Sequence, residues 1–200
     1  MATRAYTARR RRPPESVARV LAAAERLIRD NEFHSATMDE VATVAGVSRA
    51  TVFNRFGSKL GVLQALFTRA MEGPEMEKIR KALEIEDPVA ALEALIEAAC
   101  AIWESQDHIH EQVQAIVVLE PDAGALVKQR EEQRADLQAL SRRLARAGRL
   151  RPELSEARAG ATLHMLTSLE SFLWLRREYR LSLRQARETI AAQARTLLRP

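Results

Sequence analysis

The chain has 200 residues, 46% hydrophobic and 29% charged, so it is long enough to bury a substantial core and too apolar to stay disordered. No apolar run approaches the about 18 residues of a membrane-spanning helix, and one cysteine, Cys100, excludes a disulfide framework within the chain. Net charge is +4, but residues 1–70 hold 12 Lys/Arg against 6 Asp/Glu while residues 71–200 hold 19 against 21. The positive excess therefore lies in the first third and points to an acidic partner there, nucleic acid before membrane.

The opening segment is basic without an apolar core or cleavage signal, so it does not read as a secretory signal. It reads as a basic flexible arm over residues 1–14, "TRAYTARRRRPP", in which Arg9, Arg10, Arg11 and Arg12 suit phosphates or a minor groove; a solubilising tail is the plain alternative. The first helix is expected to start near Glu15, with Val17, Val20, Leu21, Ala24, Leu27 and Ile28 on its apolar face and Asn31 at its end. Thr37 caps a second helix, and Glu40 completes a capping box; Met38, Val41, Ala42 and Ala45 form the buried stripe. Gly46 supplies a turn that a residue with a Cβ resists. Ser48 caps a very short third helix, and Ser58 a fourth with Leu63, Leu66, Phe67 and Ala70 inward.

Gly73-Pro74 marks a boundary, giving domains at 15–72 and 74–200. Asp87-Pro88 opens a helix that buries Leu92, Leu95, Ile96, Ala99, Ile102 and Trp103. A separate helix is expected from about His108 to Leu119, stopping at Pro121, then a long polar one from Asp122 to Ala147, ended by Gly148. Ser155 starts another, and Ser182 with Gln185 makes a second capping box. Strand-like alternation is nearly absent, and the fold class is all-α.

Two helices joined by a glycine turn, the second very short, form a helix-turn-helix pattern. Val47, Val52 and Phe56 anchor the second helix. Arg49, Ala50, Thr51 and Asn54 are left outward near its N-terminal end, where a helix in the major groove meets base edges. Arg49 suits guanine O6 and N7, the methyls of Ala50 and Thr51 suit thymine, and Arg55 and Lys59 suit phosphate. The competing reading is an ordinary helix-turn-helix inside an α-helical enzyme or bundle. Such an enzyme would draw on Glu120 with His108 or His110 as acid and base.

"TMDEVATVAGVSRATVFNRFGSKLGVLQALF", Thr37 to Phe67, closely resembles the DNA-binding segment of the TetR family of transcriptional regulators, and the preceding helix and Phe33 fit it too. The resemblance implies an N-terminal three-helix DNA-binding domain followed by an α-helical ligand-binding and dimerisation domain. It implies a homodimer on a palindromic operator of double-stranded DNA, and a small-molecule effector that releases it. By position, Thr37 and Ser48 belong to the capped helix-turn-helix. Arg49, Ala50, Thr51, Phe53 and Asn54 lie on the recognition helix, and Lys59 matches a phosphate-holding lysine. Phe53 and Arg55 depart from the tyrosine and the tyrosine or histidine common there, and Leu60-Gly61 replaces a commonly acidic, helix-favouring pair.

In the C-terminal region, residues 157–175 are apolar on more than one face, with Leu163, Leu166 and Phe172 among them. One face is expected to meet a second copy, together with Ile190 of the last helix, and Ala157, Gly160 and Ala161 to allow close approach. Trp103, His108, His110, Glu120, His164 and Trp174 are polar or aromatic groups amid apolar helices, the composition of a largely apolar ligand site. His108 and His110 point to different helix faces, so neither a metal nor a cofactor is expected. A dimeric DNA-binding protein without an effector is the alternative, separable by whether a cavity exists. The expected location is the cytoplasm.

Overall fold

A computed structural model describes residues 14–119 and 124–199, with the side chains of 106–130 outside that description. The basic arm with Arg9 to Arg12, Glu120, and the side chains of His108 and His110 therefore fall outside the described residues. The chain forms two compact units, divided at Ala65–Leu66.

The first unit holds α1 (Glu15–Arg29), α2 (Met38–Ala45), α3 (Arg49–Phe56) and the start of α4 (Lys59–Met71). Its core is Val20, Leu21, Ala24, Leu27, Ile28, Phe33, Val41, Ala42, Ala45, Val52, Val62 and Leu63. The expected stripes agree, except that Val17 and Met38 are only half-buried. Asn31 closes α1 in the left-handed region, at φ 59°.

The second unit holds α5 (Pro74–Glu84), α6 (Pro88–Leu119), α7 (Gly124–Arg146), α8 (Glu156–Leu166), α9 (Leu169–Leu173) and α10 (Leu183–Arg195), with a π-helical turn at Trp174–Glu178. Asp87 caps α6, accepting from the Ala90 N–H at 3.1 Å. Two expectations need correction. The break before His108 does not exist: α6 runs unbroken for 32 residues. The polar run Glu104 to Asp107 reads as a break, but nothing between Val89 and Leu119 is a glycine or proline that would interrupt the helix. The single helix expected over 157–175 is three pieces, because the Ser168 hydroxyl accepts from the Ser171 N–H at 3.2 Å and starts a new cap.

The core of this unit joins Leu92, Leu95, Ile96, Leu140, Leu144, Leu163, Phe172 and Ile190. Cys100 is buried among them and its thiol is pushed up to about 11 by desolvation, so it behaves as a small hydrophobe. Gly160 is also inside: a Cβ there would come within 2.6 Å of the Gln138 amide on α7, so its smallness serves packing within the unit rather than contact with a second copy. Arg143 of α7 gathers the carbonyls that end α5, donating to Leu83 O at 2.6 Å, Glu86 O at 3.0 Å and Ile85 O. Ion pairs Arg187–Glu97 at 3.1 Å and Arg195–Glu93 at 3.0 Å tie α10 to α6. None of the described helices is long and apolar enough to cross a membrane.

Candidate nucleic-acid interface and ligand cavity

The joint between α2 and α3 is built as the residues dictate. Thr37 Oγ1 accepts from the Glu40 N–H at 3.2 Å, and the Glu40 carboxylate accepts from the Thr37 N–H at 2.6 Å. The Thr37 N–H and the Thr37 hydroxyl, which donates to the same carboxylate at 2.9 Å, hold the Glu40 carboxyl below its ordinary pKa. Gly46 ends α2 at φ 63°, where an L side chain is strained. Ser48 then caps α3 through the Thr51 N–H at 3.1 Å.

Val52 is fully buried and pins α3, while Arg49, Ala50, Phe53, Asn54 and Arg55 are exposed on the outside of the unit. Phe53 is 55% exposed, unusual for a ring of that size. Thr51 is half-buried, and its hydroxyl lies 2.8 Å from the Ser48 hydroxyl, so its polar end is occupied locally. Arg49 pairs with Asp39 of α2, Nε to Oδ1 at 3.0 Å, with both side chains exposed.

Lys59 departs from the phosphate-facing position expected of it. Its Nζ donates to the carbonyls of His34 at 2.7 Å and Ala36 at 3.0 Å and stands 5.2 Å from the centre of the Phe33 ring. Partial desolvation lowers its pKa, with the Glu40 carboxylate opposing that shift. It is a clamp on the loop between α1 and α2.

Gly61, by sequence a weak helix residue, has a steric purpose. A Cβ there would sit 1.9 Å from Phe56 O, so the end of α3 lies directly against the start of α4. The Ser58 hydroxyl accepts from the Gly61 N–H at 3.1 Å, which is the expected cap.

The second unit contains a cavity of about 230 Å3. Its walls come from Met71, from Met76, Ile79, Arg80 and Leu83 of α5, and from Leu95, Ala99, Ile102 and Trp103 of α6. α7 adds Glu132, Gln133, Asp136 and Leu137, and Thr167 follows α8. Trp103 lines it, as the sequence suggested, with its indole N–H donating to Thr167 O at 2.9 Å. Trp174 does not: it is 63% exposed and meets Tyr179 edge-on at 5.7 Å. His164 is not among the lining residues; its Nδ1 is buried and makes no hydrogen bond among the described residues.

Sequence reasoning missed the α5 and α7 walls. α5 itself carried a readable signal, since Met76, Ile79 and Leu83 recur at helical spacing after Pro74. The residues expected at a dimer face are mostly internal: Leu163, Phe172 and Ile190 are buried in their own unit, and Leu166 is half-buried. Among the described residues of this unit, the large apolar groups left outside are Met165, Trp174, Tyr179 and Leu183. Among the described residues no cluster of His, Cys, Asp and Glu could hold a metal ion.

Residues 20–66 match the family model for bacterial regulatory proteins of the tetR family. Across both units the chain is similar to the TetR-family transcriptional regulator PfmR of Thermus thermophilus, with 27% identity, 90% of this chain and 94% of that one covered, and a TM-score of 0.69. In fold it is similar to a TetR transcription regulator of Haloarcula marismortui, with 18% identity, coverage of 92% and 99%, and a TM-score of 0.75. A third similar fold is AibR, solved with isovaleryl coenzyme A and operator DNA, with 16% identity, coverage of 90% and 97%, and a TM-score of 0.68. No curated protein matches the chain significantly. The matched family and its relatives here are transcriptional regulators, not enzymes.

Proposed function

We propose, from the match of residues 20–66 to the TetR family model and the similarity to PfmR, that this chain is a TetR-family transcriptional regulator and a ligand-responsive repressor, a homodimer that binds a palindromic operator and is released by a small-molecule effector. The observation that carries the reading is the recognition helix: Val52 is fully buried while Arg49, Ala50, Phe53, Asn54 and Arg55 stay outside. Arg49 and Asn54 read base edges, Ala50 and Phe53 meet thymine methyls or sugars, and Arg55 takes phosphate. Arg9 to Arg12 add phosphate contacts from the arm. The reader spans residues 15–72 and the effector-binding part 74–200, with α4 running across the Ala65–Leu66 division of the two units, and the protein works in the cytoplasm.

The cavity favours this reading over a DNA-binding dimer without an effector, because a well-packed dimerisation core would not retain about 230 Å3 of space. AibR, of similar fold, was solved in complex with isovaleryl coenzyme A and operator DNA, so this fold can hold a small molecule and DNA. The dimer face is the outer surface carrying Met165, Trp174, Tyr179 and Leu183. The test is selection of bound fragments from the source genome. A palindromic site bound by two chains is expected; fragments without a shared site overturn the proposal.

A further inference from the structure

We propose that the cavity walled by α5, α6 and α7 takes a small uncharged aromatic molecule, one ring carrying a short chain, with the ring against Trp103. This names the ligand class of the effector cavity and rests on reading that cavity as a binding site.

The lining residues sort by exposure. Leu95, Ala99, Ile102, Leu137 and Thr167 are buried and form the closed side. Met71, Met76 and Trp103 are half-buried, as is the neutral amide residue Gln133. Arg80, Glu132 and Asp136 are exposed and stand at the rim. Among the described lining residues, every charged group is therefore at the mouth.

The closed side has committed its donors. The Thr167 hydroxyl donates to Leu163 O at 2.8 Å, and the Trp103 indole N–H donates to Thr167 O at 2.9 Å. With those two donors spent, a charge carried inward exchanges water for hydrocarbon. The rim offers little in return to either sign. Arg80 Nε donates to Glu77 at 2.9 Å, and Glu132 already has a partner. The Asp136 carboxyl is raised above its ordinary pKa, first by desolvation and then by Glu132, so even at the mouth a charge is penalised.

The ring follows from size and from the chemistry of the walls. Since about 150 Å3 is enough to take a benzene ring, 230 Å3 leaves room for one ring and a short chain. Two thioethers and an indole are partners that favour an aromatic ring over an aliphatic chain.

Calorimetric titration of the full chain with phenylpropanol, phenylpropylamine and phenylpropanoate tests the charge, because the three share one apolar body. The alcohol is expected to bind at least about tenfold more tightly than either ion. Ala99→Leu fills the cavity from a buried position and should abolish that binding. Trp103→Leu should weaken phenylpropanol about threefold more than cyclohexylpropanol, whose ring has no π face. Circular dichroism establishes that each variant is folded, and the ranking of the three probes on the parent decides the matter even if a variant is not. Tighter binding of the amine or the carboxylate, equal affinity for the three, or no binding by any overturns the proposal. So does undiminished binding in folded Ala99→Leu, or equal losses of the phenyl and cyclohexyl alcohols in Trp103→Leu. The regulatory reading fails separately. If the alcohol binds as expected but leaves the operator complex intact, the ligand class stands and the effector role falls. If an ion binds tightest and releases the operator, the effector role stands and the ligand class falls.

Discussion

Arg49 of α3 rests its Nε 3.0 Å from the Asp39 carboxylate of α2, the helix before it. A guanidinium held at Nε keeps both terminal amino groups for a partner beyond, which is the fork that guanine O6 and N7 accept. Arg49→Ala should therefore lose about 1–3 kcal/mol per half-site and relax one base position. Asp39→Ala should relax the same position while slightly strengthening binding to scrambled DNA, since a negative charge leaves the phosphate side. In the Arg49→Ala background, removing Asp39 should no longer change base preference. Binding to operator and scrambled DNA across a salt series measures all three; an unchanged preference in Arg49→Ala removes it as a reader.

Lys59 shows geometry overriding charge. Its ammonium serves the carbonyls of His34 and Ala36, so Lys59→Met should cost stability, about 1–3 kcal/mol for the carbonyls left behind. Its effect on the salt slope of DNA binding should fall short of the unit decrement of a phosphate contact. Denaturant melting beside salt-dependent binding separates the two: full stability with a slope reduced by one would return Lys59 to the phosphate.

Thr37 carries half of a reciprocal cap. Thr37→Ala should destabilise the first unit by about 1 kcal/mol, and Thr37→Ser should restore most of it. Thermal melts of the three proteins check this; no loss in the alanine variant would mean that the box is ornamental to stability.

Asp136 gives a pH signature. Its carboxyl is raised above 3.8 in the folded chain, so the folded state holds its proton to higher pH than the unfolded one. Stability is then lost as pH rises through that interval, because desolvation first and Glu132 of the same helix second oppose the ionisation. Asp136→Asn should be more stable than the parent at neutral pH by about 0.2–0.5 kcal/mol, the size of one relieved like-charge pair. The difference should shrink toward pH 3. Melting curves at several pH values decide it, and a variant less stable than the parent at pH 7 contradicts the assignment.

The proposed dimer face divides the apolar residues of the C-terminal region by depth. Met165→Glu combined with Trp174→Glu should give folded monomers. Phe172→Asp should instead unfold the unit, because that ring is 1% exposed. Light scattering and circular dichroism together distinguish these outcomes, and a folded dimer in the double variant moves the interface elsewhere.

What could be read before folding was whatever is governed by neighbours in sequence. The caps at Thr37, Ser48, Asp87 and Ser182 and the turn at Gly46 depend on three or four residues each, and all appear. Val52 in and Arg49 out follow from helical period alone. The errors lie where distance in sequence decides. Lys59 turns toward a loop 23 to 25 residues away. Gly160 answers to Gln138, and Leu163 and Phe172 are claimed by their own core before a second copy can claim them. Among the described residues the cavity was legible only at Trp103, because its charged wall belongs to a helix whose polar face reads as ordinary solvated surface.

Gly61 bears on how such a protein changes its target. The exposed residues of α3 are few and lie outside the core, so replacing Ala50, Asn54 or Arg55 disturbs stability by roughly 0.5 kcal/mol or less. Position 61 has no such freedom, since the smallest added side chain would strike Phe56 O. The reading surface and its mounting are thus under separate constraints. On the proposed reading, new operators can be acquired by substitution at 49, 50 and 54 on an unchanged mount, and transplanting those positions between scaffolds should carry specificity only where the recipient keeps glycine at that joint.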